Sequence, residues 1–256
     1  MHLKTFFLLI LVISVFPFIE MTYAETPNTD QTDIEQEDDW ALDDELDEVS
    51  DDPVSPGVWD PLEKINRCIF IFNDKLYFWC MKPVAQTYKR ITPMPVRIGL
   101  LNFFNNINMP QRAVSCFFQL RPKDTGSEIA AFTINSTIGI LGFTTPSKSY
   151  FHLEPYQEDL GQTLGSYGIG NGFYIVLPFL GSSTLRDLVG IVGDSYLDPT
   201  NYIEDTYVKL GVNAVSTVNS MSFRVGEYEK IKDMALEPYS AVKDGYIQYR
   251  NKQIEK

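Results

Sequence analysis

Histidine is nearly absent from this sequence. The two that exist are His2 and His152, and His2 falls in a segment that reads as a cleaved export signal, so a catalytic triad would rest on His152 alone. No Gly-x-Ser-x-Gly elbow is present to supply its serine. Catalysis needs several groups in one geometry, and a lone loop histidine reads as surface decoration. Cysteine is as scarce: Cys68, Cys80 and Cys116 are scattered and no His/carboxylate cluster stands at ligand spacing, so no metal site is expected. Lysine and arginine are missing from Glu25 to Asp52, a run with fourteen acidic residues. An arm of that charge repels phosphates and argues against a nucleic-acid partner.

Charge of either sign is missing from Leu160 to Leu185. Such a length would cross a bilayer as a helix, but Gly161, Gly165, Gly168, Gly170, Gly172, Pro178 and Gly181 interrupt it. Irregular backbone is tolerated at membrane depth only where protein or a water-lined cavity satisfies its N–H and C=O groups, so this stretch is expected inside a larger helical assembly. Gly168-x-Gly170-x-Gly172 has the wrong spacing and setting for a dinucleotide loop, and no cofactor is expected. Glu158 and Asp159, just before the stretch, read as a solvated helix start in preference to an acid/base pair, because adjacent helical residues point about 100° apart.

What is present describes an exported protein with one sizeable domain. At the N-terminus His2 and Lys4 precede an apolar run from Phe6 to Phe18, and Thr22-Tyr-Ala24 offers small residues for a signal peptidase, giving a signal peptide at 1–24. A retained N-terminal anchor is the alternative. Residues 25–58 read as an acidic disordered linker in which Trp40, Leu42 and Leu46 leave a short binding motif open. Removing the fourteen acids from the net charge of -13 leaves the remainder, 59–256, close to neutral. With 44% hydrophobic and 13% aromatic residues, that remainder has enough apolar matter for a core. The odd cysteine count leaves at least one thiol free, and Cys68 and Cys80 pair only if the helix between them breaks.

Helical spacing runs through the body. Asp60-Pro61-Leu62-Glu63 has the form of a capped helix start, followed by Ile65, Ile69, Phe72 and Leu76 on one face, with Phe70, Ile71, Tyr77, Phe78 and Trp79 on others. A helix apolar on most sides is either buried in protein or in contact with lipid. Lys82-Pro83 is expected to break it, with Pro83 starting another helix toward Arg90. Further helices are expected over Val96–Asn106, Gln111–Gln119 after Pro110, from Asp124 or Thr125 through Ile138, from Thr184 to about Tyr196 behind a Ser182 or Ser183 cap, over Tyr207–Asp233, and after Pro238. Gly142–Glu158 reads as an irregular hairpin loop with exposed aromatics. Short connections and prolines in first turns describe a compact all-α domain.

The segments Asp60-Pro-Leu-Glu-Lys-Ile-Asn-Arg67, Phe72-Asn73, Lys82-Pro-Val-Ala85, Phe132 to Phe143, Asp159 to Asp187 and Arg186-Asp187 occur together and in order. Over residues 60–202 they resemble the MlaA/VacJ family, the outer-membrane component of a bacterial phospholipid transport pathway. The resemblance implies non-enzymatic transport: misplaced phospholipid leaves the outer leaflet through an amphipathic channel, beside a trimeric porin, and passes to a soluble periplasmic lipid carrier. The fold expected is a ring-like bundle of short and amphipathic helices seated in the inner leaflet of the outer membrane around a central channel. Phe72, Asn73, Phe143, Gly161, Gln162, Thr163 and Gly165 are candidate channel or gate residues by the same resemblance, with packing as the structural alternative for each. The family often has an acidic residue shortly after the Leu-Gly-Phe, where this chain has Thr144-Thr145, so a role resting on that carboxylate does not carry over. Family members are lipoproteins, whereas this chain has no cysteine after the apolar run, so attachment is expected from the folded domain. A soluble periplasmic lipid-binding or scaffolding protein is the alternative function. The last two helices, least similar to the family, are expected to give packing support.

Overall fold

The computed structural model describes residues 59–255; the expected signal peptide and acidic linker lie outside them. Helix α1 (Glu63–Leu76) passes through one wide π turn, Tyr77–Met81, directly into α2 (Lys82–Ile91), with right-handed helical backbone at each junction. Pro83 therefore does not break the rod as expected. A proline lacks an N–H and its ring crowds the carbonyl four residues back, and a π turn just upstream widens the helix where that carbonyl lies. Nor does Asp60 cap α1: the cap position is Leu62, without a side-chain bond. Asp60 instead accepts from Asn66 Nδ2 at 2.8 Å and from the Tyr239 hydroxyl at 2.5 Å.

The two short helices expected around Pro110 are one helix, α3 (Met94–Phe118). Proline in a helix interior removes one backbone hydrogen bond. Here α4 (Pro122–Thr137) spans the defect, because Asn106 donates to Ser136 Oγ at 2.9 Å on one side of Pro110 and Arg112 pairs with Glu128 at 3.2 Å on the other. The segment expected to be irregular contains a short helix, α5 (Pro146–Phe151), before an extended run into α6 (Leu160–Ser166).

The Gly-rich stretch also forms a small antiparallel hairpin, β1 (Tyr174–Leu177) and β2 (Gly181–Thr184), with Tyr174 opposite Thr184 and Leu177 opposite Gly181. The expected all-α fold is thus predominantly helical with one two-stranded element. Thr184, not Ser182 or Ser183, caps α7 (Leu185–Leu197), its Oγ1 accepting from Asp187 N. A 3-10 turn (Pro199–Tyr202) leads to α8 (Thr206–Phe223), α9 (Glu227–Met234) and α10 (Pro238–Ile254). The single helix expected over Tyr207–Asp233 is divided at Gly226, whose φ of 106° has left the helical region. All three cysteines are free, Cys116 buried and Cys68 exposed.

A small apolar core, Tyr174, Val176, Tyr239 and Ile247, packs the hairpin against α1 and α10. Elsewhere the distribution is inverted. Buried polar or charged residues number 22 and buried apolar ones 11 among the described residues, while large apolar side chains stand exposed along nearly every helix. On α7 the inward residues are Arg186, Asp187, Gly190 and Asp194, and the outward stripe is Leu185, Val189, Val192 and Tyr196. On α8 Asn213, Ser216, Thr217, Asn219 and Ser222 face inward, and Tyr207, Val208 and Val215 outward. Among the described residues no helix is long and apolar enough to cross a membrane.

Candidate functional site

Four elements meet at the start of α6. Asp159 caps it, Oδ1 accepting from Gln162 N at 2.7 Å, and Gln162 Nε2 returns a bond to Asp159 Oδ2 at 3.1 Å. Helix α10 reaches in with Arg250, which donates to Asp159 Oδ2 at 2.6 Å and to Asp187 Oδ1 at 2.9 Å. Asp187 also takes bonds from Arg186 at 2.9 Å and the Tyr246 hydroxyl at 2.7 Å. Burial would raise the Asp187 carboxyl, but Arg250 and then Arg186 outweigh it and hold the group below the usual carboxylate range. Arg250 is held protonated by Asp159 and Asp187 against its own burial. The carboxylates expected to mark a solvated helix start are therefore buried, with Glu158 paired to Arg121 at 2.8 Å and Asp159 to Arg250. The helix expected to give packing support supplies a central cation of this cluster.

Helices α6 and α7 cross almost in contact. A Cβ on Gly190 would lie 2.4 Å from Gly161 N, so this crossing requires glycine. One turn on, Asp194 places both carboxylate oxygens 3.3 Å from Leu160 N. No cation pairs with it among the described residues, and burial first, the Asp159 charge second, push its carboxyl up to about 7.

From this cluster a line of buried polar groups continues between α3 and α4. Gln119 donates to Glu158 and Thr163, Glu128 accepts from Arg112 and Tyr156 N, and Asn135 Oδ1 accepts from Ser147 N. Burial raises the Glu128 carboxyl, an effect that Arg112 opposes. Three atoms on this line, Asn106 Oδ1, Ser115 Oγ and Asn135 Nδ2, are buried and have no hydrogen-bond partner among the described residues. The nine positions from Asn106 to Ser115 span about 13 Å of helix.

The candidate residues fall in three places. Gly161, Gln162, Thr163 and Gly165 share α6 and pack on α3, α7 and α10, Gly165 against Ile254. Phe72 and Asn73 meet the hairpin: the Phe72 ring is edge-on to Phe179 at 5.4 Å, and Asn73 donates to Leu177 O and accepts from Phe179 N, both at 2.9 Å. Phe143 stands on the loop after α4, with its ring 5.2 Å from that of Phe103 and beside Gly99. Exposed His152 ends α5 with φ of 52° and joins none of these groups.

The family model described as MlaA lipoprotein matches residues 58–253. The chain belongs to the MlaA family. It is 30% identical over 197 residues to the intermembrane phospholipid transport system lipoprotein MlaA of Escherichia coli K12, covering 75% of this chain and 77% of that protein. The protein of the same name from Haemophilus influenzae is 30% identical over 195 residues, 74% and 76% of the two chains. An uncharacterized protein of Rickettsia bellii is 34% identical over 200 residues, 77% and 78% of the two. A solved structure described as the structural basis for maintenance of bacterial outer membrane lipid asymmetry superposes with a TM-score of 0.66 at 29% identity, over 76% of this chain and 98% of that one. The MlaA match ends past Arg250, so α10 belongs within the family domain although its sequence gave the weakest resemblance.

Sequence reasoning missed Asn66, Asp194, Tyr246 and Arg250. Asp194 had a signal, since it is the lone charged residue between Leu188 and Leu197. Arg250 had none: it sits among Tyr249, Asn251 and Lys252 in what looks like an ordinary polar helix end.

Proposed function

We propose that this protein works at the outer membrane as the phospholipid-moving component of an intermembrane transport system, without chemical conversion of the lipid. The observation that carries this reading is the inverted helices, with carboxylates, guanidiniums and amides inward and aliphatic and aromatic stripes outward. A water-facing protein of this size hides its apolar stripes, whereas a belt lodged in one leaflet leaves them in the acyl chains. The names and descriptions of the MlaA relatives point the same way.

In this reading a headgroup follows the polar line between α3, α4 and α6 while its acyl chains stay in hydrocarbon. Each polar group moved unaided into apolar medium costs several kcal/mol unless it is hydrogen-bonded. The unpartnered atoms of Asn106, Ser115 and Asn135 offer such bonds, so the barrier falls and no energy source is needed at this step. Phe72 with Phe179, and Phe143 with Phe103, are aromatic pairs suited to gate the path, and the 142–158 segment is the candidate moving part. Misplaced outer-leaflet phospholipid is the cargo, a trimeric porin the neighbour and a soluble periplasmic carrier the recipient.

Deleting the gene and measuring phospholipid in the outer leaflet tests the reading. Surface phospholipid should rise, and the wild-type gene should restore it; unchanged asymmetry overturns the proposal. Fractionation supplies a second check, because release of the protein from outer membranes by a salt wash would point to a soluble carrier instead.

A further inference from the structure

Charge is segregated within the folded domain. Between Lys75 and Lys123 there are eight lysines and arginines and no aspartate or glutamate. In the middle of this run α2 ends and α3 begins, and there Lys89 and Arg90 are exposed beside Ile91, Met94 and Val96, which are exposed as well. Neither Lys89 nor Arg90 has an ion-pair partner among the described residues. Behind the corner Arg97 is buried in a neutral setting: it donates to Ser222 Oγ and Ser222 O at 2.9 Å and to Met94 Sδ at 3.6 Å, and it stacks on Phe223 at 4.3 Å. Among buried guanidiniums, Arg186 and Arg250 have carboxylates and Arg97 has none. Among the described residues no carboxylate pairs with Arg97.

We infer that the α2–α3 corner is a docking surface for anionic phospholipid, with Ile91, Met94 and Val96 among the acyl chains and Lys89 and Arg90 at the phosphates. The inference rests on the membrane-belt reading above and adds a headgroup preference to it. Apolar tips flanked by basic side chains fit the boundary between headgroups and acyl chains, where lysine and arginine stems lie along hydrocarbon and their charges reach the polar layer. Near an anionic surface each such charge contributes about fivefold in binding, an effect lost within a Debye length.

The test is flotation of the mature full chain with vesicles of phosphatidylcholine alone or of an equal mixture with phosphatidylglycerol. Tighter binding to the mixture is expected, weakened by high salt. The K89Q/R90Q variant should lose about 30-fold on the mixture and nothing on neutral vesicles. K230Q/K252Q removes the same charge from exposed lysines elsewhere and should behave as wild type. Equal binding to both vesicles by the wild type overturns the inference, whether the corner is inert or covered by an acidic protein segment, and so does an equal loss in the two variants. In either case binding to neutral vesicles leaves the belt reading standing, and failure to bind any vesicle sinks that reading itself.

Discussion

Two side chains at the start of α6 set opposite demands on the fold. Arg250 neutralises Asp159 and Asp187 in a buried cluster, and removing it leaves the buried Asp159 carboxylate without a cation while Asp187 keeps Arg186. Arg250→Met should therefore cost about 3–5 kcal/mol, read as a lower midpoint in denaturant unfolding in detergent; a change under 1 kcal/mol would mean the cluster is solvated in practice. Asp194 acts the other way. Folded, it keeps its proton to about pH 7, while its ordinary value is 3.8, so over that window the folded state binds more protons than the unfolded one. Its contribution is complete below about pH 4 and drains away as pH rises through 7, an effect of up to about 4 kcal/mol. Asp194→Asn keeps an acceptor for Leu160 N and removes the ionisation. Its stability relative to wild type should therefore grow between pH 5 and pH 8, and a pH-independent difference would show that Asp194 ionises freely in the fold.

At the level of elements, the hairpin is held by α1 and, among the described residues, by no neighbouring strand. Asn66 accepts from Val176 N and donates to Tyr174 O, and two turns later Asn73 does the same to Phe179 N and Leu177 O. These two amides serve the hairpin's open edge as an adjoining strand would. Asn66→Ala strands a buried N–H and a buried C=O at about 1–3 kcal/mol each. Hydrogen exchange should therefore accelerate at Val176 well before it does in α3; unchanged protection would make Asn66 incidental. This docking also shows where the sequence was legible. Helical spacing placed α1, α4, α7 and the start of α8 to within a few residues, because that signal is local, but ran α8 through the break at Gly226. The prolines misled, since Pro83 and Pro110 were read as breaks by a local rule while a π turn and the α3–α4 side-chain bonds, both set by tertiary context, carried the helices through. Asn66 and Asn73 lay inside recognised motifs, yet their partners are over a hundred positions away, and nothing local in the sequence names them.

For the molecule as a whole, periodicity reveals that a helix has two faces but not which one is inside. The usual convention turns the apolar face to the core, and on α7 that would have buried Leu185, Val189, Val192 and Tyr196 and put Arg186, Asp187 and Asp194 in water. The fold does the reverse. The charge-free, glycine-broken stretch hinted at this, because its backbone needs a polar interior to satisfy it. A double substitution on the outward stripe separates the two solvents that such a face can meet. Val189 and Val192 are 56% and 53% exposed, so in water Val189→Glu with Val192→Glu should shift stability by no more than about 0.5 kcal/mol per site. In acyl chains each buried charge costs about 2–4 kcal/mol, depending on depth. The expected result is a protein that unfolds like wild type in detergent micelles, which adjust around the charges, but is lost from the outer-membrane fraction and no longer restores lipid asymmetry to a deletion strain. Full retention in the membrane with normal asymmetry would place the α7 stripe in water, and the inversion of this helix would then need a protein partner to cover it.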